Sequence, residues 1–394
     1  MEVVILCGGL GTRLRSVVSE IPKCLAPVGE GDAFLGWMLR WLGTYPVSHV
    51  VFSAGHLKEQ VKSFVQGRHW PFLYDFAEEE FPLGTGGAIR YALQFCQEEQ
   101  VIVLNGDTFY PVDLNAMADG HGAAPVTLAL KPMRDFDRYG TVETAAPAEN
   151  GFLPITAFRE KRPCREGLIN GGVYAIRRNL LDLSHLPEKF SLEKEVLEPA
   201  AAAGRLAGWV SDAYFIDIGI PEDYGRAQWA VPAWFAVEEA SAAVLQAPAD
   251  TLFLDRDGVL NRLRPDDYVK SWAEWEWMPG ILQELPKWAA KFRRIVLVTN
   301  QRGVGKGRMS DADLSRIHAQ MMSEVMAAGG RIDLVLSCTA LDEGDPRRKP
   351  NPGMFREACT LFPDIDAKRS VMLGDADSDE RFAQNCHIRF VRMG

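Results

Sequence analysis

Two strand openings of the same kind, one at each end of a long α/β pattern, constrain this chain more than anything else in it. In the first half, short apolar runs (VVIL, HVVFSA, QVIVLNGD, VTLAL) alternate with helical patterns, and in the second TLFLD, RIVLVTN, LVLSC and SVMLGD do the same. Strands alternating with helices predict a mainly parallel sheet covered on both faces. Between the halves lies WAVPAWFAVEEASAAVLQAPAD, a Pro-bounded, alanine-rich segment that predicts one helix and then a turn. The reading is therefore α/β, with two doubly wound parallel-sheet domains at 1–230 and 250–394 and a linker helix at 231–249. Each half has its own first strand and its own polar loop at the strand end, where ligands of open α/β sheets bind. The 394 residues fit two or three domains at roughly 100–200 residues each, and 47% apolar residues are enough for real cores.

A formal net charge of −10 argues against nucleic-acid or anionic-membrane partners, which reward clustered Lys and Arg. Any anionic ligand must then be held by local groups. The seven cysteines are scattered with no CxxC pair, which reads as reduced thiols in a cytoplasmic protein. The first residues do not read as a signal peptide and no apolar run approaches the ~20 residues of a membrane span, so a soluble protein is expected. Oligomeric state is left open, a homo-oligomer included. The tryptophans at 229, 234, 272, 275 and 277 read as core or domain-interface packing.

LCGGLGTRLR, Leu6 to Arg15, is neither a dinucleotide fingerprint, which needs glycine where Leu14 stands, nor a P-loop, which needs G-x-x-x-x-G-K-[ST]. What remains is a strand, a glycine-rich turn and Arg13, followed by Lys23 in PKCLAPV. Glycines let backbone N–H groups approach a phosphate, and Arg13 and Lys23 would neutralise a triphosphate from two sides. A tight βα turn with surface basic residues is the other reading.

GGLGTRLR with PKCLAPV resembles the start of the sugar-phosphate nucleotidyltransferases. PLGTGGA at 82–88, LNGDTF at 104–109, RYGTV at 138–142, FREKR at 158–162, INGGVY at 169–174 and YFIDIGIPEDY at 214–224 follow in the family's order. The resemblance covers residues 1–230 and implies transfer of a nucleoside monophosphate to a sugar 1-phosphate with release of pyrophosphate. It implies that Asp107 and Asp217 chelate Mg²⁺ and that Arg13 and Lys23 neutralise charge during transfer. Leu6, Gly8, Gly9, Gly11, Thr12, Arg13 and Lys23 would bind nucleotide, with Gly84, Thr85, Gly86 and Gly87 toward the base. Glu160 would hold sugar hydroxyls and Lys161 the sugar phosphate, with Gly140, Asn170 and Gly171 lining the sugar pocket. Positioning and charge neutralisation suffice for such an in-line transfer.

In TLFLDRDGVLN, Asp255 and Asp257 sit two apart at a strand end, so both side chains project to one face and their repulsion calls for a cation. With LVTNQ at 297–301, RKPNPGMF at 348–355 and MLGDADSD at 372–379, the second half resembles the haloacid dehalogenase superfamily of phosphatases. The resemblance implies that Asp255 is the nucleophile and Asp257 the acid and base. It implies that Asp255, Asp257 and Asp375 belong to a Mg²⁺ site supported by Asp379, and that Thr299 and Lys349 hold phosphoryl oxygens. Asn300 and Arg348 are the candidate substrate contacts. The order DRDGVLN, YVKSWAEWEWMPGI, TNQRGVGKGRMS is similar to the branch with heptose bisphosphate and histidinol phosphatases. Too few residues separate Asp255 from Thr299 for a large cap. CTALDEGDPRRKP carries Cys338 alone where that branch often has a zinc loop, so no zinc is expected.

Within its family the first half most resembles heptose 1-phosphate guanylyltransferases, through GGLGTRLR, PLGTGGAIR, INGGVY, FSLEKEVLEP and FIDIGIPEDY. The two resemblances together imply a bifunctional, Mg²⁺-dependent enzyme whose substrates are heptose phosphates and an NTP, with GTP and GDP-heptose as the pair. Another nucleotide sugar with a different phosphatase, or a transferase carrying a regulatory phosphatase-like module, stays open.

Overall fold

The computed structural model describes residues 1–394 apart from 10–13, 15, 16, 19, 120–123 and 148–150. It divides into two compact units, Met1–Val231 and Pro232–Gly394.

In the first unit β1 (Glu2–Leu6), β2 (His49–Ala54), β3 (Leu73–Glu78) and β4 (Gln100–Asn105) run parallel. Val3, Val4 and Ile5 are fully buried because β1 lies inside the sheet with both faces covered. The helices α1 (Phe34–Leu42), α2 (Lys58–Gln66) and α3 (Gly84–Ala92) connect or cover these strands. The sheet continues with β5 (Val126–Phe136), β6 (Thr141–Thr144), β7 (Leu153–Arg159), β8 (Cys164–Arg177) and β9 (Leu206–Val210). The nine strands lie in the order β3-β2-β1-β4-β8-β5-β9-β7-β6. β8 is antiparallel to both β4 and β5, so the sheet is mixed where the apolar runs alone predict a parallel one. Hydrophobic runs report burial and are silent on strand direction.

α4 (Pro221–Gln246) begins before the predicted linker and carries Pro232 inside it, at the division between the units. Val237, Ala240 and Val244 belong to the apolar core of the second unit, so this stretch is a packed element rather than a spacer. That unit continues with β10 (Thr251–Leu254), α5 (Ile281–Lys291), β11 (Arg294–Asn300), α6 (Asp311–Ala327), β12 (Leu334–Cys338), α7 (Gly353–Leu361), β13 (Ser370–Gly374), α8 (Asp377–Asn385) and β14 (Arg389–Arg392). Its five strands, all parallel, lie in the order β12-β11-β10-β13-β14. Trp272, Trp275 and Trp277 form a cluster, with ring centroids 5.0 Å apart for 272–275 and for 275–277, packed against this unit's core. No helix among the described residues is long and apolar enough to cross a membrane.

Candidate active sites

The first site forms where β1 and β4 end. A Cβ on Gly106 would stand 2.5 Å from the Leu6 carbonyl oxygen, so only glycine lets the chain after β4 pack on the end of β1. Thr108–Phe109 then pairs antiparallel with Ile216–Asp217, which brings Asp107 beside Asp217. The Lys23 ammonium reaches both, 2.6 Å from Asp107 Oδ2 and 3.4 Å from Asp217 Oδ1. Burial, and next the charge of Asp107, push the Asp217 carboxyl above its usual range in spite of Lys23. A carboxyl raised in this way marks a deficit of positive charge, and a hard oxygen-binding cation suits the pair.

Two cavities meet at these carboxylates. One, of about 280 Å³, is lined by Leu6, Gly9, Lys23, Thr85 and Glu193 among others, and the second, of about 370 Å³, by Arg138, Tyr139, Gly140, Lys161, Asn170 and Asp217. Both include Asp107, so a ligand in one cavity meets a ligand in the other at that residue. Gly171 and Gly140 permit close backbone approach: a Cβ would stand 2.3 Å from the Tyr110 ring and 2.4 Å from the Arg159 carbonyl oxygen respectively.

In the second unit Asp255 leaves the end of β10 with its N–H donating to the Leu373 carbonyl at 3.0 Å. Lys349 places its ammonium 2.8 Å from Asp255 Oδ1 and 2.5 Å from Asp379 Oδ1. Asn300, at the end of β11, clamps the Lys349 backbone in both directions, accepting from its N–H at 3.0 Å and donating to its carbonyl at 2.9 Å. Ligand oxygens of Asp255, Asp375 and Asp379 lie within 4.8 Å of one another. Burial chiefly lifts the Asp255 carboxyl to about 7, with Asp379 adding to it and Lys349 opposing, and lifts Asp375 to about 6. Three crowded carboxylates, two of them raised, fit a hard divalent cation. Gly258, at φ +82°, makes the room: a Cβ there would stand 2.1 Å from Asp375 Oδ2.

Asp257 has the opposite surroundings. Burial would raise it, but the Arg256 guanidinium at 3.0 Å from both carboxylate oxygens, with Asn261 at 2.9 Å and Gln301 at 2.7 Å, outweighs that and holds the carboxyl below its ordinary range. Arg256 is itself buried, against the Trp275 ring and His318. Burial, then Arg256, lowers His318 to about 4, so at neutral pH its imidazole is uncharged and accepts from Arg256 Nη1 at 3.3 Å.

Residues 2–233 match the nucleotidyl transferase family and residues 252–392 the polynucleotide kinase 3 phosphatase family. The first half is 44% identical over 230 residues to D-glycero-alpha-D-manno-heptose 1-phosphate guanylyltransferase of Aneurinibacillus thermoaerophilus, covering 58% of this chain and 97% of that protein. The second is 40% identical over 135 residues to D-glycero-alpha-D-manno-heptose-1,7-bisphosphate 7-phosphatase of Mycobacterium bovis, covering 34% of this chain and 71% of that protein. This chain is a nucleotidyl transferase joined to a haloacid-dehalogenase-like phosphatase. Among solved structures, HddC from Yersinia pseudotuberculosis complexed with GMP-PN is similar to the transferase half, with a TM-score of 0.51, 32% identity and coverage of 58% of this chain and 97% of that one.

Within the transferase half, Leu6, Gly9, Lys23 and Thr85 line the first cavity, and Gly140, Lys161, Asn170 and Gly171 the second. Gly11, Thr12 and Arg13 lie outside the described residues. Gly8 faces the Glu79 carboxylate. The bare faces of Gly84 and Gly86 meet Phe190 and that of Gly87 the Glu188 carbonyl, so these glycines dock α3 on that segment. Thr85 alone of the four lines the cavity, where its hydroxyl donates to Glu193 Oε2 at 3.0 Å. Glu160 is exposed and, among the described residues, does not line the second cavity, whereas Glu193, Arg138 and Asp223 do. Asp223 lies within YFIDIGIPEDY, and its pairing with Arg138 at 2.6 Å joins residues distant in sequence.

Three residues of the phosphatase half differ from expectation. Asp257, expected among the metal ligands, spends its carboxylate on Arg256, Asn261 and Gln301, and Asp379 takes its place in the carboxylate cluster. Asn300 holds Lys349 rather than presenting its amide for substrate. Arg348 is buried and committed to the loop before it, donating to the Leu341 carbonyl and to Glu343 Oε1. Asn351 binds the Glu343 and Asp345 carbonyls at 2.9 and 2.8 Å, so polar contacts organise the segment that holds Cys338 alone. Thr299 is buried at the end of β11, beside β10, and accepts from Gln301 at 2.9 Å.

Proposed function

We propose that the chain makes GDP-D-glycero-D-manno-heptose in two steps: its phosphatase half removes the 7-phosphate of heptose 1,7-bisphosphate, and its transferase half joins the resulting 1-phosphate to GMP from GTP. The observation that carries this is that the two halves are separately similar to enzymes whose names share one sugar and whose reactions are consecutive.

In the phosphatase half, an Asp255 oxygen attacks phosphorus and the bond to the sugar oxygen breaks, leaving an aspartyl phosphate. Asp257, ionised at rest, takes up a proton as the charged phosphate approaches, gives it to the departing oxygen, and then draws one from the water that frees Asp255. Lys349, fixed by Asn300, neutralises the phosphoryl oxygens while Thr299 orients them. In the transferase half, a sugar phosphate oxygen arriving from the Lys161 and Asn170 cavity attacks the α-phosphorus of a nucleotide in the Thr85 cavity, and pyrophosphate leaves. Lys23 then exchanges its carboxylate contacts for phosphate. Asp107 and Asp217 in one half, and Asp255, Asp375 and Asp379 in the other, would hold Mg²⁺, which when bound neutralises phosphate charge.

The test supplies heptose 1,7-bisphosphate, Mg²⁺ and each NTP in turn and identifies products by mass. GDP-heptose from GTP alone is the expected result; a product from another NTP at equal rate overturns the choice of base.

A further inference from the structure

Two of the seven thiols stand at the transfer site, and the reaction above uses neither. Cys7 follows β1, its N–H donating to the Ser53 carbonyl at 2.8 Å. Cys24 sits in the 3-10 turn Lys23–Leu25. Both line the cavity that holds Lys23, Thr85 and Asp107. Lining one cavity brings them near each other although 17 positions separate them in sequence, and the Cys24 side chain is the first of the causes that raise the Cys7 thiol. Cys7 and Cys24 are 4% and 3% exposed, so bulky reagents are kept out, and the cavity they line is the way in for a small molecule. Cys96, in the same half, instead donates to the Ala92 carbonyl at 3.8 Å in the apolar core and lines neither cavity.

We propose that Cys7 and Cys24 are a paired oxidation site, closed to a disulfide by peroxides entering the nucleotide cavity, and that closure switches off nucleotidyl transfer. The second clause rests on the reading of that cavity as the nucleotide site.

The Cys24 sulfur attacks one peroxide oxygen; the O–O bond breaks, the other oxygen leaves as water with the proton given up by the Cys24 thiol, and Cys24 becomes a sulfenic acid. The Cys7 sulfur then attacks the Cys24 sulfur and displaces its hydroxyl, which leaves as water with the Cys7 proton. The two thiols are oxidised by two electrons together, and one peroxide is reduced to two waters. The new bond tethers the turn that carries Lys23 to the end of β1. Lys23 now contacts Asp107 and Asp217, and with its turn tied down it can no longer leave them to follow the triphosphate.

The experiment treats the full chain with hydrogen peroxide, maps disulfides by peptide mass, and follows two rates in the same sample: pyrophosphate release from GTP with heptose 1-phosphate, and phosphate release from the bisphosphate. The expected result is a Cys7–Cys24 peptide lighter by two hydrogens, loss of pyrophosphate release with phosphate release retained, and recovery with dithiothreitol. Cys7→Ser and Cys24→Ser, each scored against its own untreated rate, should lose the peroxide sensitivity. Inactivation without the bridged peptide, or the bridge with transfer intact, overturns the proposal. If untreated protein shows no transfer yet the bridge forms, the reading of the cavity falls and the oxidation site stands.

Discussion

Asp255 and Asp257, two residues apart, are driven in opposite directions by what surrounds them, and that divergence assigns their work. With Asp255 raised to about 7, proton and cation compete for the same carboxylate. Below that pH the proton is favoured, so apparent Mg²⁺ affinity of the phosphatase half should weaken as pH falls from 8 to 6, by up to about tenfold per unit. Titration calorimetry at the two pH values checks this, and equal affinities would contradict it. Asn300→Ala should leave the fold intact by circular dichroism yet cut phosphate release by about ten- to hundredfold, because Lys349 loses both backbone tethers. The DxD spacing, Lys349 and Asp375 were legible because each is fixed by a local motif. The tasks of Asn300 and Arg348 were not: Asn300 and Lys349 are 49 positions apart, and no local pattern announces which backbone an amide will hold.

Among the elements, α4 and α5 pack through an unusual buried contact. Ser241 donates to Glu284 Oε2 at 2.5 Å, Lys287 to Glu284 Oε1 at 2.5 Å, and Trp288 Nε1 to Ser241 at 2.9 Å. Glu238 faces Glu284, and burial followed by that neighbour raises its carboxyl to about 7, with Lys287 opposing. A carboxyl raised in the folded state is stabilising below its unfolded value and loses that contribution as pH rises through the folded one. The phosphatase unit should therefore lose stability between about pH 4.5 and 7, and Glu238→Gln should remove that carboxyl's share of the loss, gaining on the order of 1 kcal/mol at pH 8 after allowance for partial exposure, while Asp255 and Asp375 keep theirs. Urea unfolding of the full chain at pH 5 and 8, with and without the substitution, measures it. The strands with continuous apolar runs, β1, β2, β4, β10, β11 and β13, were legible as buried centres. β3, whose LYDFAE is half exposed, and β6, β7 and β14 carry no such run, and their pairing is set by neighbours distant in sequence.

For the whole molecule, two separate carboxylate sites on two sheets predict separable activities. Asp255→Asn should abolish phosphate release and leave pyrophosphate release from heptose 1-phosphate near wild type, and Asp107→Asn should do the reverse; either change silencing both in a folded protein would break the two-site account. The sugar-side cavity already holds Asp217, Asp223 and Glu193, and its Arg138 is paired with Asp223. A second phosphate there would add unpaired charge costing several kcal/mol. With Asp255→Asn, GTP and heptose 1,7-bisphosphate should thus release pyrophosphate far more slowly than GTP and heptose 1-phosphate. The strand orders carry a consequence for synthesis. Every strand of the first sheet lies within residues 2–210, and the carboxylate pair is complete at Asp217. β10, which opens the second sheet, is flanked by β13, and Asp255 at its end waits for Asp375 and Asp379 to complete the carboxylate cluster. A ribosome that stops between residues 231 and 375 leaves behind a finished transferase pocket and an unfinished phosphatase, never the reverse.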